Sequence, residues 1–337
     1  MELCKSFLET LNRESKECNV PLYASIEIIT KCNFNCIHCY IPEHKDYMSF
    51  DKITKCIDEL KIMGTLELML TGGEIFLHKD ILKIIKYARM QGFRVVLFTN
   101  CSLITEEIAK ELADLYVTEI STTIFSMEAN VNDKITQRVG ALEMIKRAID
   151  LLKMYGIKTE IKVPIMNVNK FDYRKICDFC LNEGCKFNYT TAITSKLDGN
   201  KSPCRLQLDY EDLRMVITDL NMDNTEKSET RMSQETDSPV CDALLNSVHI
   251  DVNGNVFPCI SFPYKFGNVF ATPFSEIWHS SKRSELLSIK KSELKTCIGC
   301  EYKSTCNRCP GLALSEDNTL YGCSTLDKRL AMALASL

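Results

Sequence analysis

No apolar run in this 337-residue chain approaches the roughly 20 residues that a membrane-crossing helix needs. The opening stretch MELCKSFLETLNRESKECNV lacks the apolar centre of a secretion signal and reads as a short amphipathic helix. Positive charge is not in excess either: 41 Lys and Arg stand against 45 Asp and Glu, a net charge of −4. That balance excludes the basic footprint of a nucleic-acid binder and the polybasic patch of a membrane-surface protein. No internal repeat of solenoid length is visible. Neither nucleic acid nor membrane is therefore an expected partner, and the missing signal points to a cytoplasmic location.

Cysteine, by contrast, is abundant, with 18 residues. A chain of this length buries enough apolar surface to fold without staples. With no sign of an oxidising compartment, metal binding or catalysis is a better account of the cysteines than a disulfide framework.

Short β-branched runs alternate with helical patterns along the first two thirds of the chain. YASIEI (23–28), LELML (66–70), RVVLF (94–98), VTEIST (117–122), KTEIKV (158–163) and KFNYT (186–190) read as strands. Ile53, Cys56, Ile57 and Leu60 recur at helical spacing, as do Leu142, Ile145, Ile149 and Leu152, and 80–91, 105–115 and 172–183 are helical by the same test. Parallel neighbours need crossover helices, so this alternation predicts an α/β fold, an open six-stranded relative of the (β/α) barrel. Its chemistry belongs at the C-terminal ends of the strands. The stretch 221–240 is polar and aperiodic and reads as a linker or mobile loop. Beyond it, SVHIDVNGNVFPC predicts a hairpin turning at Asn253-Gly254. The expected organisation is an N-terminal helical extension over 1–22, a barrel over 23–220, the linker over 221–240 and a cysteine-rich domain over 241–337.

The stretch KCNFNCIHCY places Cys32, Cys36 and Cys39 directly after the first predicted strand, on the barrel's catalytic rim. Three thiolates are one short of a closed tetrahedral site, and such close spacing also suits zinc. After the second strand comes TGGE, Thr71 to Glu74. Its glycines admit a ligand close to the backbone, and its carboxylate can accept hydrogen bonds from an ammonium. FTNC after the third strand and TTIFS after the fourth bring small polar groups to the same edge.

Cys-x3-Cys-x2-Cys after strand one, with Gly-Gly-Glu after strand two, resembles the radical S-adenosylmethionine (SAM) superfamily. The resemblance implies a four-iron, four-sulfur cluster held by Cys32, Cys36 and Cys39, with the amino and carboxylate groups of SAM on the remaining iron. It implies cleavage of SAM to methionine and a 5′-deoxyadenosyl radical that removes a hydrogen atom from substrate. It also implies an electron donor such as a flavodoxin or ferredoxin. By the same resemblance, Gly72, Gly73 and Glu74 bind the SAM amino group and the backbone at His38 meets adenine. Thr123 stands where relatives place a ribose-binding serine, and Asn100 is a further cofactor candidate. The superfamily usually continues Gly-Gly-Glu with proline, where Ile75 stands here.

Downstream, CIGCEYKSTCNRC supplies Cys297, Cys300, Cys306 and Cys309, with Cys323 after it and Cys241 and Cys259 before it. Paired cysteines alone are a zinc-ribbon signature too. The set resembles the seven-cysteine pattern of SPASM domains, which carry two auxiliary iron–sulfur clusters and extend radical SAM enzymes that modify peptides and proteins. Carried over by position, Cys297, Cys300, Cys306 and Cys323 hold the distal cluster, and Cys241, Cys259 and Cys309 the proximal one. The close pair Cys306 and Cys309 has two intervening residues where the family usually has three. The fourth proximal ligand is either Cys204 or an open iron, and the open site is the favoured reading. Of the other cysteines, Cys4, Cys18, Cys56, Cys101, Cys177, Cys180 and Cys185 read as small buried hydrophobes.

The resemblance implies three four-iron clusters, SAM, and a peptide or protein substrate modified at an unactivated C–H bond, by crosslinking, epimerisation or a related change. Sulfatase-maturing relatives carry an aspartate base just after the hairpin cysteine; Ile260 occupies that position and cannot take a proton. About 22 residues precede the first strand, so leader recognition, if needed, is expected to use a separate protein or another surface. A small-molecule radical SAM dehydrogenase and a non-enzymatic iron–sulfur or zinc scaffold are the alternatives.

Overall fold

The computed structural model describes residues 2–223 and 239–337; most of the expected linker lies outside them. Six parallel strands stand side by side in chain order: β1 Tyr23–Ile29, β2 Glu67–Gly72, β3 Arg94–Phe98, β4 Glu119–Thr123, β5 Lys158–Pro164 and β6 Lys186–Thr190. Helices Phe50–Ile62, Ile81–Met90, Glu106–Asp114, Ala141–Met154 and Tyr173–Glu183 make the crossovers. This is a partial (β/α)6 barrel. Its apolar face is set by strand alternation: Ile26, Ile28, Leu68, Leu70, Val95, Leu97 and Ile120 are buried in one core with Ile53, Ile57 and Leu60 of the first crossover helix. Each such side chain contributes about 1.5–3 kcal/mol on burial.

Helix Ala129–Thr136 was not foreseen, because its sequence ANVNDKIT has only a weak apolar stripe. It braces the cysteine loop: Asn35 N–H donates to the Thr136 carbonyl at 3.1 Å and Ile37 N–H to the Ile135 carbonyl at 3.0 Å.

The predicted hairpin forms as β7 Ser247–Ile250 and β8 Asn255–Phe257, followed by β9 Gly267–Asn268. It does not stand apart. β7 pairs in parallel with β1, giving one nine-stranded sheet in the order β6-β5-β4-β3-β2-β1-β7-β8-β9. Without β7, β1 would present unpaired backbone groups along an open edge. The core follows the sheet, so Val248, Ile250, Val256, Phe262 and Trp278 share one cluster with the barrel residues. Helix Glu2–Glu17 clasps the same junction, with Asn246 Nδ2 donating to Asn12 Oδ1 at 2.7 Å.

Cys56, Cys101 and Cys180 are buried as expected of small hydrophobes. Cys18 is exposed, a correction to the sequence reading, because it lies just past the end of helix Glu2–Glu17 rather than on its packed face.

Candidate functional site

The rim of the barrel is knit together at the ends of β1, β2 and β3. Gly72 has φ +143, and a Cβ there would overlap the Ile29 carbonyl; at Gly73 it would overlap the carbonyls of Thr30 and Lys31. Only glycine lets β2 approach this closely. Gly73 N–H then donates to Ile29 O and Glu74 N–H to Lys31 O, both at 2.8 Å, so the TGGE segment is stapled to the start of the cysteine loop. Glu74 is fully buried. Its Oε1 accepts from Thr99 Oγ1 at 2.7 Å and from Phe76 N at 3.0 Å, and its Oε2 accepts from Asn100 N at 2.8 Å. Burial pushes its pKa up, and these three donors oppose the rise. Asn100 continues the chain of contacts: its Nδ2 donates to Asn33 Oδ1 at 2.8 Å and reaches Cys32 Sγ at 3.8 Å.

Cys32, Cys36 and Cys39 stand together on this rim. Burial raises the Cys32 thiol to about 11, and the nearby charge of Cys39 adds to it. Cys36 rises by burial and by the charges of Cys39 and Cys32. Crowded, buried thiols resist ionisation unless a cation neutralises them, and a coordinated thiol is deprotonated outright. The donor set suits an electron-poor iron centre. His38 packs edge-on to Phe125 with centroids 4.9 Å apart; its Nδ1 is buried without a partner among the described residues, and burial lowers its pKa to about 4, so the ring is neutral. Thr123 ends β4, paired in register with Lys162.

The C-terminal cysteines gather in two groups. Cys259 is raised to about 12 by burial, with Cys241 and Cys309 adding to the rise, and Cys309 likewise acts on Cys241. Each of these three sulfurs also receives backbone N–H donors, from 243–244, 261–262 and 311–312. Gly311 makes the approach possible, since a Cβ there would overlap the Ser261 carbonyl. Cys306 is raised to about 12 by burial, and Cys323, Cys297 and Cys300 contribute. Cys323 feels Cys297 and Cys300 in turn. Cys204 belongs to neither group: burial raises it, and the charges acting on it are those of Glu316 and Lys201. Among the described residues, no three His, Cys, Asp or Glu side chains converge as ligands of a single metal ion.

The family model for the radical SAM superfamily matches residues 26–180, and that for the SPASM iron–sulfur cluster-binding domain matches 241–310. The chain is a radical SAM enzyme with a SPASM domain. Among curated proteins, it is 25% identical to an AdoMet-dependent heme synthase of Methanosarcina barkeri over 86% of this chain and 91% of that protein. It is 26% identical to the subtilosin biosynthesis protein AlbA of Bacillus subtilis over 88% of this chain and 68% of that one. Among solved structures, Streptococcus suis SuiB bound to precursor peptide SuiA superposes with a TM-score of 0.73 at 17% identity, covering 94% of this chain and 78% of that one. Native anSMEcpe with bound AdoMet and a peptide gives 0.71 at 14% identity, covering 92% and 94%. The family implies SAM and iron–sulfur clusters as cofactors.

Three residues of the enzyme's interior escaped the sequence reading. Glu160 on β5 takes hydrogen bonds from Ser121 Oγ at 2.8 Å and Asn188 Nδ2 at 3.0 Å and pairs with Lys186 at 2.8 Å. Burial pushes its pKa up, but these donors outweigh that and hold it at about 2. Lys162 lies 4.4 Å over the Phe98 ring. Glu27 on β1 is buried beside the cysteine loop. For Glu160 and Lys162 the signal is in the sequence: Lys158, Glu160 and Lys162 alternate along β5 with Ile161 and Val163, which points to a polar lumen. A fourth, Asp327, accepts from Cys309 N at 2.8 Å, and its charge bears on Cys306 and Cys323, so it stands between the two C-terminal groups.

Proposed function

We propose that this enzyme modifies an unactivated C–H bond in a peptide or protein substrate. Cys32, Cys36 and Cys39 would hold the SAM-binding cluster. Cys297, Cys300, Cys306 and Cys323 would hold one auxiliary cluster, and Cys241, Cys259 and Cys309 the other, leaving one iron open to a substrate thiolate or water. When bound, SAM and its cluster supply a carbon-centred oxidant for hydrogen-atom abstraction. The chain's own part is to fix that cofactor through Gly72, Gly73, Glu74, His38, Asn100 and Thr123, and to hold the substrate against it.

One observation carries the substrate class. A cavity of about 380 Å3 opens between the cysteine loop and the C-terminal hairpin, and among the described residues its wall has five carboxylates but neither Lys nor Arg. Such a wall repels the carboxylates of a tetrapyrrole and accommodates a neutral or basic peptide. Ile260 lines it, so the position of the formylglycine base is occupied by an apolar side chain facing the cavity. The peptide-bound SuiB neighbour supports the same reading. A tetrapyrrole substrate is the second reading, favoured by the heme synthase relative.

The test is anaerobic incubation of the reconstituted enzyme with SAM, a reductant and small peptides encoded beside its gene, followed by tandem mass spectrometry. A crosslink removes two hydrogens, about 2 Da. Unchanged peptides, together with conversion of an iron porphyrinoid, would overturn the peptide reading.

A further inference from the structure

We propose that the cavity between the cysteine loop and the hairpin is a recognition subsite for a cationic substrate group, an ammonium or guanidinium, with Glu27 as its direct partner. The inference rests on the peptide reading and narrows it to a peptide presenting lysine, arginine or a free amino terminus.

Glu27 sits on β1, five residues before Cys32, and its side chain lines the cavity while the residue is 3% exposed. Its Oε1 has no hydrogen-bond partner among the described residues. Among the described residues, the donor to its carboxylate is the Val252 backbone, and the charges of Asp251 and Asp46 press on it. A buried carboxylate oxygen left unanswered among like charges is a cost that folds normally avoid, unless something else completes the site.

Among the described residues, nothing on the wall donates to that oxygen. Asp251 is committed to the hairpin, accepting from Asn253 N, Asn255 N and Asn255 Nδ2 at 2.8–2.9 Å. Asp198 accepts from Asn200 N at 3.0 Å, and Glu43 is paired with Lys45. His249 is neutral at physiological pH, with its pKa lowered to about 4 by burial, and its Nδ1 lies 2.8 Å from Ser25 Oγ. The rest of the lining includes Ile41, Phe257, Ile260 and Phe262. Apolar walls with a carboxylate set among them suit a side chain that has a methylene stem and a cationic tip.

The experiment uses the reconstituted holoenzyme and three probes: the N-acetyl methylamides of lysine, arginine and norleucine, titrated at millimolar concentration and read as a shift in the thermal unfolding midpoint. The lysine and arginine probes should raise the midpoint of the wild type, and norleucine should not. Glu27→Gln keeps the shape and should weaken the cationic probes at least about tenfold. Asp46→Asn, on the same wall and acting on Glu27 through its charge, should weaken them less. Equal shifts from norleucine and lysine, an undiminished response in Glu27→Gln, or no response in the wild type would each overturn the subsite. The probes bind without turnover, so the two proposals fail separately. Cationic binding with no peptide modified sinks the proposed reaction alone, and a modified peptide with no cationic preference sinks the subsite alone.

Discussion

The two cysteine regions of this molecule are built by opposite routes. Cys32, Cys36 and Cys39 lie within eight residues of one loop, and the fold's work there is to fix that loop by backbone contact: Gly72 and Gly73 against β1, Glu74 against β3, helix Ala129–Thr136 beneath. The C-terminal groups draw on segments separated by up to 68 residues, from Cys241 to Cys309, and neighbours in sequence part company, Cys306 joining one group and Cys309 the other. A site on one loop tolerates change elsewhere, whereas a site assembled from distant segments depends on each contact that brings them together.

The largest expected effect separates the regions outright. Replacing Cys32, Cys36 and Cys39 together by Ala should abolish 5′-deoxyadenosine formation, with iron falling from about twelve to about eight atoms if all three clusters are four-iron. Cys306→Ala should do the reverse, losing C-terminal iron while SAM cleavage continues. Loss of all iron in the first variant would mean that the two regions do not load independently.

Next come the two glycines that play matching parts. Gly72→Ala meets the Ile29 carbonyl at a positive φ, and Gly311→Ala meets the Ser261 carbonyl. Each should cost about 3 kcal/mol or more by denaturant unfolding, within the range for backbone strain and overpacking. The first should impair the N-terminal chromophore selectively and the second the C-terminal one; the same spectral change in both would erase the contrast.

A smaller effect sits where the regions meet. Burial, aided by Asp251 and Asp46, raises Glu27 from 4.5 to about 7. The folded state therefore holds a proton that the unfolded state has released, and stability falls as pH rises from about 4.5 to 7. The cost is absent below that window and complete above it, of order 3 kcal/mol. Glu27→Gln should accordingly raise the unfolding midpoint at pH 8 and leave it nearly unchanged at pH 4. The smallest effect is expected at Cys204→Ser, which should leave iron content and SAM cleavage as they are, because the charges acting on Cys204 are those of Glu316 and Lys201 rather than of the seven C-terminal cysteines.

Much of this was legible in the chain. All six barrel strands and their crossover helices announce themselves by periodicity, and β3 and β6 have the ends that the sequence suggests. The Asn253-Gly254 turn was equally plain, with Gly254 at φ +79. Glu74 was read as a ligand-facing carboxylate, yet its side chain also anchors the rim to Thr99, Phe76 and Asn100. That role depends on where β3 ends relative to β2, which no local pattern states. Glu27 is not legible in the sequence, because a single acid in an apolar strand is uninformative until the sheet curls and shows which face it occupies.

The sequence by itself determined the alternation of strands and helices, the cysteine loop and the turn glycines, because each depends on interactions within a few residues. Tertiary structure alone decided that β7 would complete the edge of β1, that Cys306 and Cys309 would part, and that an unpaired carboxylate would face a cavity between the two halves. Those outcomes follow from which distant segments can bury apolar surface and pair backbone groups at the same time, a condition met only by the folded chain as a whole.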